Sequence, residues 1–374
     1  MDPNVIKLAM GAGGAGGPDY KLYTWGQNNF GQLGLGNTTD RSSPVQVGAL
    51  TTWDVVSGGV LFTLAIKNDG TLWAWGRNGN YQLGLGNDTT NRSSPTQIGS
   101  LTTWSKVSGG AFHAAAIKTD GTLWAWGNNS SGQLGDGTVT TRSSPVQIGS
   151  LTTWSSVSCG PYFTLATRTN GTLWAWGENL DGQLGLGNTT YYSSPVQVGS
   201  LTTWSNIANS IRGYHVLATR TDGTLWAWGR NNFGQLGLGN TTYYSSPVQV
   251  GGLTTWLNVS CGYNFTLANA TGKSLWAWGK NNFGQLGLGD VTYYSSPVQV
   301  GSLTTWNTIS CGNEHCMAVK TDGTLWTWGW NNNGQLGNSP LYLLNQSSPV
   351  QIGSLTTWLK IAGGSTHSIA TTKE

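Results

Sequence analysis

The side chains that could act as acids, bases, nucleophiles or metal ligands are few, and their placement argues against catalysis. All four histidines, His113, His215, His315 and His367, fall at one position of a repeat about fifty residues long. Three other repeats carry Phe62, Phe163 and Phe265 there, and a position that accepts phenylalanine reads as packing rather than acid–base or metal chemistry. Cys159, Cys261 and Cys311 also share a repeat position, and with Cys316 they match no zinc spacing. Equivalent positions in separate repeats are not expected to meet, so these cysteines read as small buried hydrophobes. The Gly-Gln-Leu-Gly-Leu-Gly runs resemble a phosphate loop only superficially, because neither a following helix nor a lysine accompanies them. The expectation is a non-enzymatic protein with no catalytic residues, no metal and no cofactor.

Composition narrows the partners. Charged residues make up only 9% of the 374, and the formal net charge is +3 with no Lys/Arg cluster to neutralise a run of phosphates. Nucleic-acid binding is therefore not expected. The 21 Trp and 13 Tyr supply ample core material, so the low charge does not mean disorder. No apolar run approaches a membrane span, so no membrane insertion is expected. Residues 1–19 lack repeat character and read as a flexible, Gly-rich N-terminal arm, whose Lys7 spoils any resemblance to a signal peptide. Its apolar side chains, Val5, Ile6, Leu8 and Met10, are the candidate anchor.

Four markers recur in phase seven times: Trp-Gly, Gln-Leu-Gly, Ser-Ser-Pro and Thr-Thr-Trp. Between them lie four short β-rich runs, such as PVQIG, WSKVSGG, FHAAAIK and TLWAWG. Asp-Gly or Asn-Gly, as at Asp69, Asp120 and Asn170, joins the last two runs in tight hairpins. No segment shows a 3.6-residue apolar period, so no long helix is expected. In TLWAWG, Leu72 and Ala74 alternate with Trp73 and Trp75, so both faces are apolar and both should be buried. Blades packed face to face around an axis bury both faces. The expected fold is all-β, a seven-bladed β-propeller over residues 20–374. Its last blade should be closed by strands from both chain ends, because the hairpin partner missing after Thr366-His367-Ser368 reappears as Lys21–Gly26.

The set of Gly-Gly or Cys-Gly, then His, then Asp-Gly, Trp-Gly-x-Asn and Gly-Gln-Leu-Gly resembles the regulator of chromosome condensation repeat across residues 20–374. That resemblance implies the propeller but not one function, since the family serves GTPase nucleotide exchange, ultraviolet sensing, ubiquitin-ligase accessory roles and enzyme inhibition. The informative positions are those where the repeats differ. The loop before Ser-Ser-Pro carries Arg41, Arg92 and Arg142 in the first three repeats. It carries Tyr191-Tyr192, Tyr243-Tyr244 and Tyr293-Tyr294 in the next three, and Leu341-Tyr342 in a longer, apolar seventh. If these loops share a rim, it is half basic and half aromatic. Either the difference is drift, with tyrosines in turns covering strand ends, or it marks a contact surface for a host glycan or receptor. An inserted segment that brings Arg212 beside an otherwise uncharged strand is a second departure.

The near-identical repeats and low-charge surface are also similar to repeat propellers encoded by bacteriophages and marine bacteria. On that likeness the expected function is a structural or binding component of the virion surface of a tailed phage: a capsid decoration, head fibre or tail receptor-binding module. The arm would hold it to other virion or surface proteins. The alternatives are a nucleotide-exchange-like regulator of a small GTPase, cytoplasmic, or a secreted bacterial adhesin or inhibitor.

Overall fold

In the computed structural model, residues 20–338 and 344–373 are described. The arm, with Val5, Ile6, Leu8 and Met10, and the rim residues Leu341 and Tyr342 lie outside the described residues. Among the described residues no helix is long and apolar enough to cross a membrane.

Two strands, β1 (Tyr20–Gly26) and β2 (Arg41–Gln46), precede the first complete blade. That blade comprises β3 (Trp53–Gly58), β4 (Phe62–Lys67), β5 (Leu72–Gly76) and β6 (Arg92–Gln97), paired antiparallel in chain order. Five further blades repeat this pattern through Gln351. The innermost strand of every blade faces a central channel of about 210 Å³, lined by small residues such as Ser57, Ser108, Ser260 and Ala362. The seventh blade is composite, in the order β2, β1, His367–Lys373, Trp358–Gly363. Its seam runs from Tyr20↔Lys373 to Gly26↔His367 without a register break. Closure from both chain ends is therefore as the sequence reads.

Each blade turns the chain at two rims. The lower rim carries the Asp-Gly hairpins and the Thr-Thr loops between blades. In the first hairpin, Asp69 Oδ1 accepts from the Thr71 N–H at 2.9 Å and from its hydroxyl at 2.6 Å. The Thr71 oxygen in turn accepts from the Trp73 indole at 2.8 Å. The upper rim carries the short turn after each inner strand and the long Gln-Leu-Gly loop before each outer strand.

Tryptophan use divides by position. The Trp75 class (Trp25, Trp75, Trp126, Trp176, Trp228, Trp278, Trp328) is fully buried. The inner-strand class, such as Trp53, is also buried and meets its neighbours edge to face, with Trp53 5.7 Å from Trp75 and 6.1 Å from Trp73. The Trp73 class is only half-buried, a correction to the expectation that both faces of TLWAWG are fully covered. A cation caps the exposed ring instead, with Lys67 Nζ 3.7 Å from the Trp73 centroid.

The Trp-Gly and Gln-Leu-Gly markers are two halves of one contact between blades. Trp75 Nε1–H donates to the Gln32 carbonyl of the preceding blade at 3.0 Å, and the same contact recurs at all seven boundaries. The last of them joins Trp25 to Gln335 at 2.9 Å across the closing seam. The glycine of Gln-Leu-Gly is required by the approach of the indole. A Cβ on Gly34, whose φ is +73°, would stand 2.8 Å from Trp75 Nε1.

The histidines belong to the same boundaries. Thr164 Oγ1 donates to the Gln133 carbonyl at 2.8 Å, so its lone pair receives the Nε2–H of His113, also at 2.8 Å. His215, His315 and His367 meet Thr266, Ser368 and Thr63 of the following blade in the same way. Where the position holds Phe62, Phe163 or Phe265, the next blade carries Ala114, Val216 or Cys316 instead of a hydroxyl. Burial without a countercharge pushes each histidine down to about 3.

Two stability measurements test this account. Gly48→Ala meets nothing within 4 Å and bears only the strain of φ +62°, roughly 1 kcal/mol. Gly34→Ala adds the clash with Trp75 and should cost a further ~1–3 kcal/mol in denaturant unfolding. Equal costs would remove the indole contact as the reason for the glycine. The unfolded histidines bind protons near pH 6.5 and the folded ones only near 3. Stability from each is thus complete above pH 6.5 and lost as the pH falls toward 3, by about 1.4 kcal/mol per pH unit. His113→Phe together with Thr164→Val should flatten the acid limb by that slope. An unchanged acid limb would show that His113 does not titrate in this way.

Candidate functional site

Function resides where a repeat scaffold departs from itself, and the two rims differ in this respect. The lower rim presents the same exposed leucine in every repeat (Leu50, Leu101, Leu151, Leu201, Leu253, Leu303, Leu355). The upper rim changes from blade to blade.

Apart from Leu341 and Tyr342, which lie outside the described residues, the sequence-predicted rim residues share the upper rim, at its outer edge, but not as two equal arcs. Tyr192, Tyr244 and Tyr294 are the first residues of outer strands rather than turn residues. They are half-buried against the core clusters of the adjoining blades, and their hydroxyls bond within the loop, as Tyr294 does to Asp290 at 3.0 Å. They are therefore wedges between blades, with the ring area serving packing. Their neighbours Tyr191, Tyr243 and Tyr293 are the presented ones, 41%, 42% and 45% exposed. Arg41, Arg92 and Arg142 occupy the wedge position in three other blades, and Gln346 in the one that remains. Two of them are neutralised locally: Arg92 pairs with Asp88, and Arg142 Nε donates to Asp136 at 2.7 Å. The expected basic arc thus carries little free charge.

The cysteines need one correction as well. All four are buried and free, and burial drives the Cys159 thiol up to about 12. Cys261 and Cys311, from adjacent blades, nevertheless stand close enough to raise the former's pKa further, because inner strands converge on the channel. Among the described residues no group of His, Cys, Asp or Glu is arranged to hold a metal ion.

Inside the tyrosine ring lies a crescent that spacing alone did not reveal. Phe112 and Tyr162, from the inner turns of the second and third blades, pack at 5.4 Å. Arg230 bonds Asp181 at 2.9 Å and lies 4.7 Å from the Tyr214 ring. Phe233 meets Tyr293 edge-on at 5.7 Å. Lys280 pairs with Glu314 at 2.8 Å between the rings of Phe233 and Phe283, and Phe283 lies against Trp330 at 5.9 Å. Most of these contacts cross a blade boundary, whereas Arg230 over Tyr214 and Lys280 over Phe283 lie within one blade. Arg212, in the inserted turn, lies within electrostatic reach of Tyr162 and Tyr263, and burial lowers its pKa. Burial likewise raises Glu178 and Glu314, and takes Tyr214 up to about 12. The signal for this crescent was present in the residue after each Trp-Gly, which reads Gln27, Arg77, Asn128, Glu178, Arg230, Lys280 and Trp330.

The model of the regulator of chromosome condensation (RCC1) repeat matches seven times, over residues 20–66, 69–117, 120–167, 170–209, 222–268, 274–319 and 322–371. The chain belongs to this family. Its RCC1 repeats are 36% identical over 256 residues to the Ultraviolet-B receptor UVR8 of Arabidopsis thaliana, covering 66% of this chain and 58% of the receptor. They are 32% identical over 133 residues to the X-linked retinitis pigmentosa GTPase regulator of Canis lupus familiaris, covering 32% of this chain and 12% of that protein. The chain thus spans less than two thirds of the length of these relatives. The fold is similar to that of human WBSCR16, with a TM-score of 0.83 at 22% identity over 95% of this chain and 99% of that one. It is also similar to Prp20p of Saccharomyces cerevisiae, with a TM-score of 0.84 at 18% identity over 96% and 92%. These likenesses establish the RCC1 propeller and not its partner.

The two members of each tyrosine pair should therefore behave oppositely. Changing Tyr191, Tyr243 and Tyr293 together to Ser should leave the melting temperature within a few degrees, since exposed side chains away from the core contribute about ±0.5 kcal/mol each. The triple change of Tyr192, Tyr244 and Tyr294 should lower it markedly. Equal effects in thermal melts would contradict the wedge assignment.

Proposed function

We propose that the chain is a non-enzymatic binding propeller that engages a partner protein through the upper-rim crescent between the second and sixth blades. The observation that carries this reading is the run of aromatic and charged contacts from Phe112 to Trp330, on a scaffold whose opposite rim presents the same leucine in every repeat. Aromatic and arginine side chains concentrated on one patch are the composition of protein-binding surfaces. The relatives bear the names of a receptor and a GTPase regulator, which favours a regulatory binding role. The virion-surface reading, with its arm-held neighbours and its host glycan or receptor, draws no such support.

A photo-activated cross-linking residue tests which rim is used. Placed at Leu180, exposed on the upper rim, it should give a discrete protein adduct in an extract of the source. Placed at Leu101 on the lower rim, it should give none. Adducts from Leu101 alone, or the same adducts from both, would move the binding face elsewhere. A second reading, nucleotide exchange on a small GTPase, follows from the name of the second relative. It requires the purified chain to accelerate release of a fluorescent GDP analogue from a GTPase of the source.

A further inference from the structure

One blade pairs two cysteines directly across its inner hairpin. In the sixth blade the inner strand Trp306–Cys311 turns back into His315–Lys320, and the register sets Cys311 opposite Cys316. The next pair toward the turn is hydrogen-bonded, with the Gly312 N–H donating to the His315 carbonyl at 2.9 Å. Antiparallel pairs alternate, so Cys311 and Cys316 form a non-hydrogen-bonded pair, in which Cα atoms approach to about 4.5 Å and side chains stand closest. A disulfide spans Cα separations of about 4.4–6.8 Å. Both side chains leave the same face of the sheet and enter one cluster against the fifth blade. There Cys311 Sγ donates to the Ser260 carbonyl at 3.6 Å and Cys316 Sγ to the Gln285 carbonyl at 3.2 Å.

No other blade repeats the pair. Cys159 faces Thr164 and Cys261 faces Thr266, so neither has a thiol across the ladder. The remaining four blades carry no cysteine at either position. Cys311 lines the central channel, which gives a small oxidant a path to it, whereas Cys316 is fully buried. Burial first, and then the Cys311 side chain, raise the Cys316 pKa, so this thiol stays protonated until it reacts. Loss of the Cys316 proton leaves nothing orphaned. The Gln285 carbonyl keeps the Trp328 indole at 3.0 Å. At two other boundaries the corresponding carbonyl already receives the indole beside Ala114 or Val216, which offer no second donor.

We propose that Cys311 and Cys316 are a modification site, a dithiol that hydrogen peroxide converts to a disulfide within the sixth blade. The Cys311 thiolate attacks one peroxide oxygen and the O–O bond breaks. The departing hydroxide takes up the thiol proton as water, and Cys311 becomes a sulfenic acid. Cys316 then attacks that sulfur. The S–S bond forms, the S–O bond breaks, and the second hydroxide leaves with the Cys316 proton as water. Two thiols are oxidised and one peroxide is reduced to two waters. The new bond closes the base of the turn that carries Glu314, the partner of Lys280 at 2.8 Å and of the Gln285 amide at 2.6 Å. Oxidation thus stiffens one turn of the upper rim. The site does not depend on which partner that rim engages.

The test treats the full, reduced chain with hydrogen peroxide, alkylates the remaining thiols in denaturant and follows the fragments by mass spectrometry. Cleavage after Glu314 separates Cys311 from Cys316, so their fragments stay joined only through a disulfide. Joined fragments that reduction releases should appear while Cys159 and Cys261 still alkylate fully. Amide exchange across residues 312–315 should slow about tenfold in the oxidised chain. Cys316→Ser, which copies Ser368 of the seventh blade, should lose both effects and leave Cys311 as a sulfenic acid that dimedone traps. Cys311→Gly, which copies Gly363, should leave Cys316 reduced under the same treatment. The pairing is read on the wild-type chain, so it stands whether or not the variants fold. A Cys261–Cys311 disulfide, loss of Cys159 as fast as Cys311, or fragments that separate without reduction would overturn the proposal. So would a Cys311–Cys316 disulfide that leaves exchange across the turn unchanged.

Discussion

The hydrogen bond from an indole N–H to a glutamine carbonyl across each blade boundary organises the whole ring. A β-blade has two apolar faces and cannot be stable alone, so its packing against neighbours must be specific as well as tight. The Trp75-class ring brings a large buried area, and its one polar atom must find a partner in the dry interior. The Gln32-class carbonyl supplies it from the preceding blade, at a point where only glycine lets the ring approach. Two markers that look like independent repeat signatures therefore form one contact, satisfied only when two adjacent blades are both present. Because Trp25 closes on Gln335, the first and last repeats obey the same rule as the rest.

The histidines refine that boundary without adding chemistry. A buried neutral imidazole needs an acceptor for its N–H, and the hydroxyl of the next blade meets this need only because its own proton goes to the same glutamine carbonyl. Where the imidazole is replaced by phenylalanine, the hydroxyl would have lost a partner, and Ala114, Val216 or Cys316 stands there instead. The paired change is visible within this one sequence, because repeats serve as one another's comparison. It distinguishes a structural histidine from a catalytic one more sharply than the presence of phenylalanine alone.

With the indole contacts fixed in this way, and apart from the paired His/Phe positions, variation falls on the rims; the upper rim carries most of it, while the lower departs chiefly at the Thr271–Lys273 hairpin. The upper rim's inner turns and long loops can change without disturbing the indole contacts, since they begin beyond the strands that make them. The result is a line of aromatic and charged contacts from Phe112 to Trp330, most of them across blade boundaries. A rigid ring carrying an asymmetric face is a scaffold suited to holding a partner in one orientation.

Periodicity made the architecture legible from the sequence. Four markers in phase, two apolar faces per strand and a hairpin partner displaced to the N-terminus determine the blade count and the two-ended closure, because each follows from short-range pattern and from the need to leave no sheet edge unpaired. The sequence also located the variable loops that now form the outer rim. It could not tell which tyrosine of each pair is wedge and which is presented. That depends on where the outer strand begins, and at Tyr192 a ladder contact with Gly177 places it one residue earlier than a turn reading allows. Nor could it bring Arg230 together with Asp181, or Lys280 with Glu314, which are distant in the chain and meet only because neighbouring blades pack about a common axis. Spacing along a chain encodes neighbours within a strand or hairpin. Contacts between blades are set by the angle at which whole sheets pack, and that was decided by the tertiary structure alone.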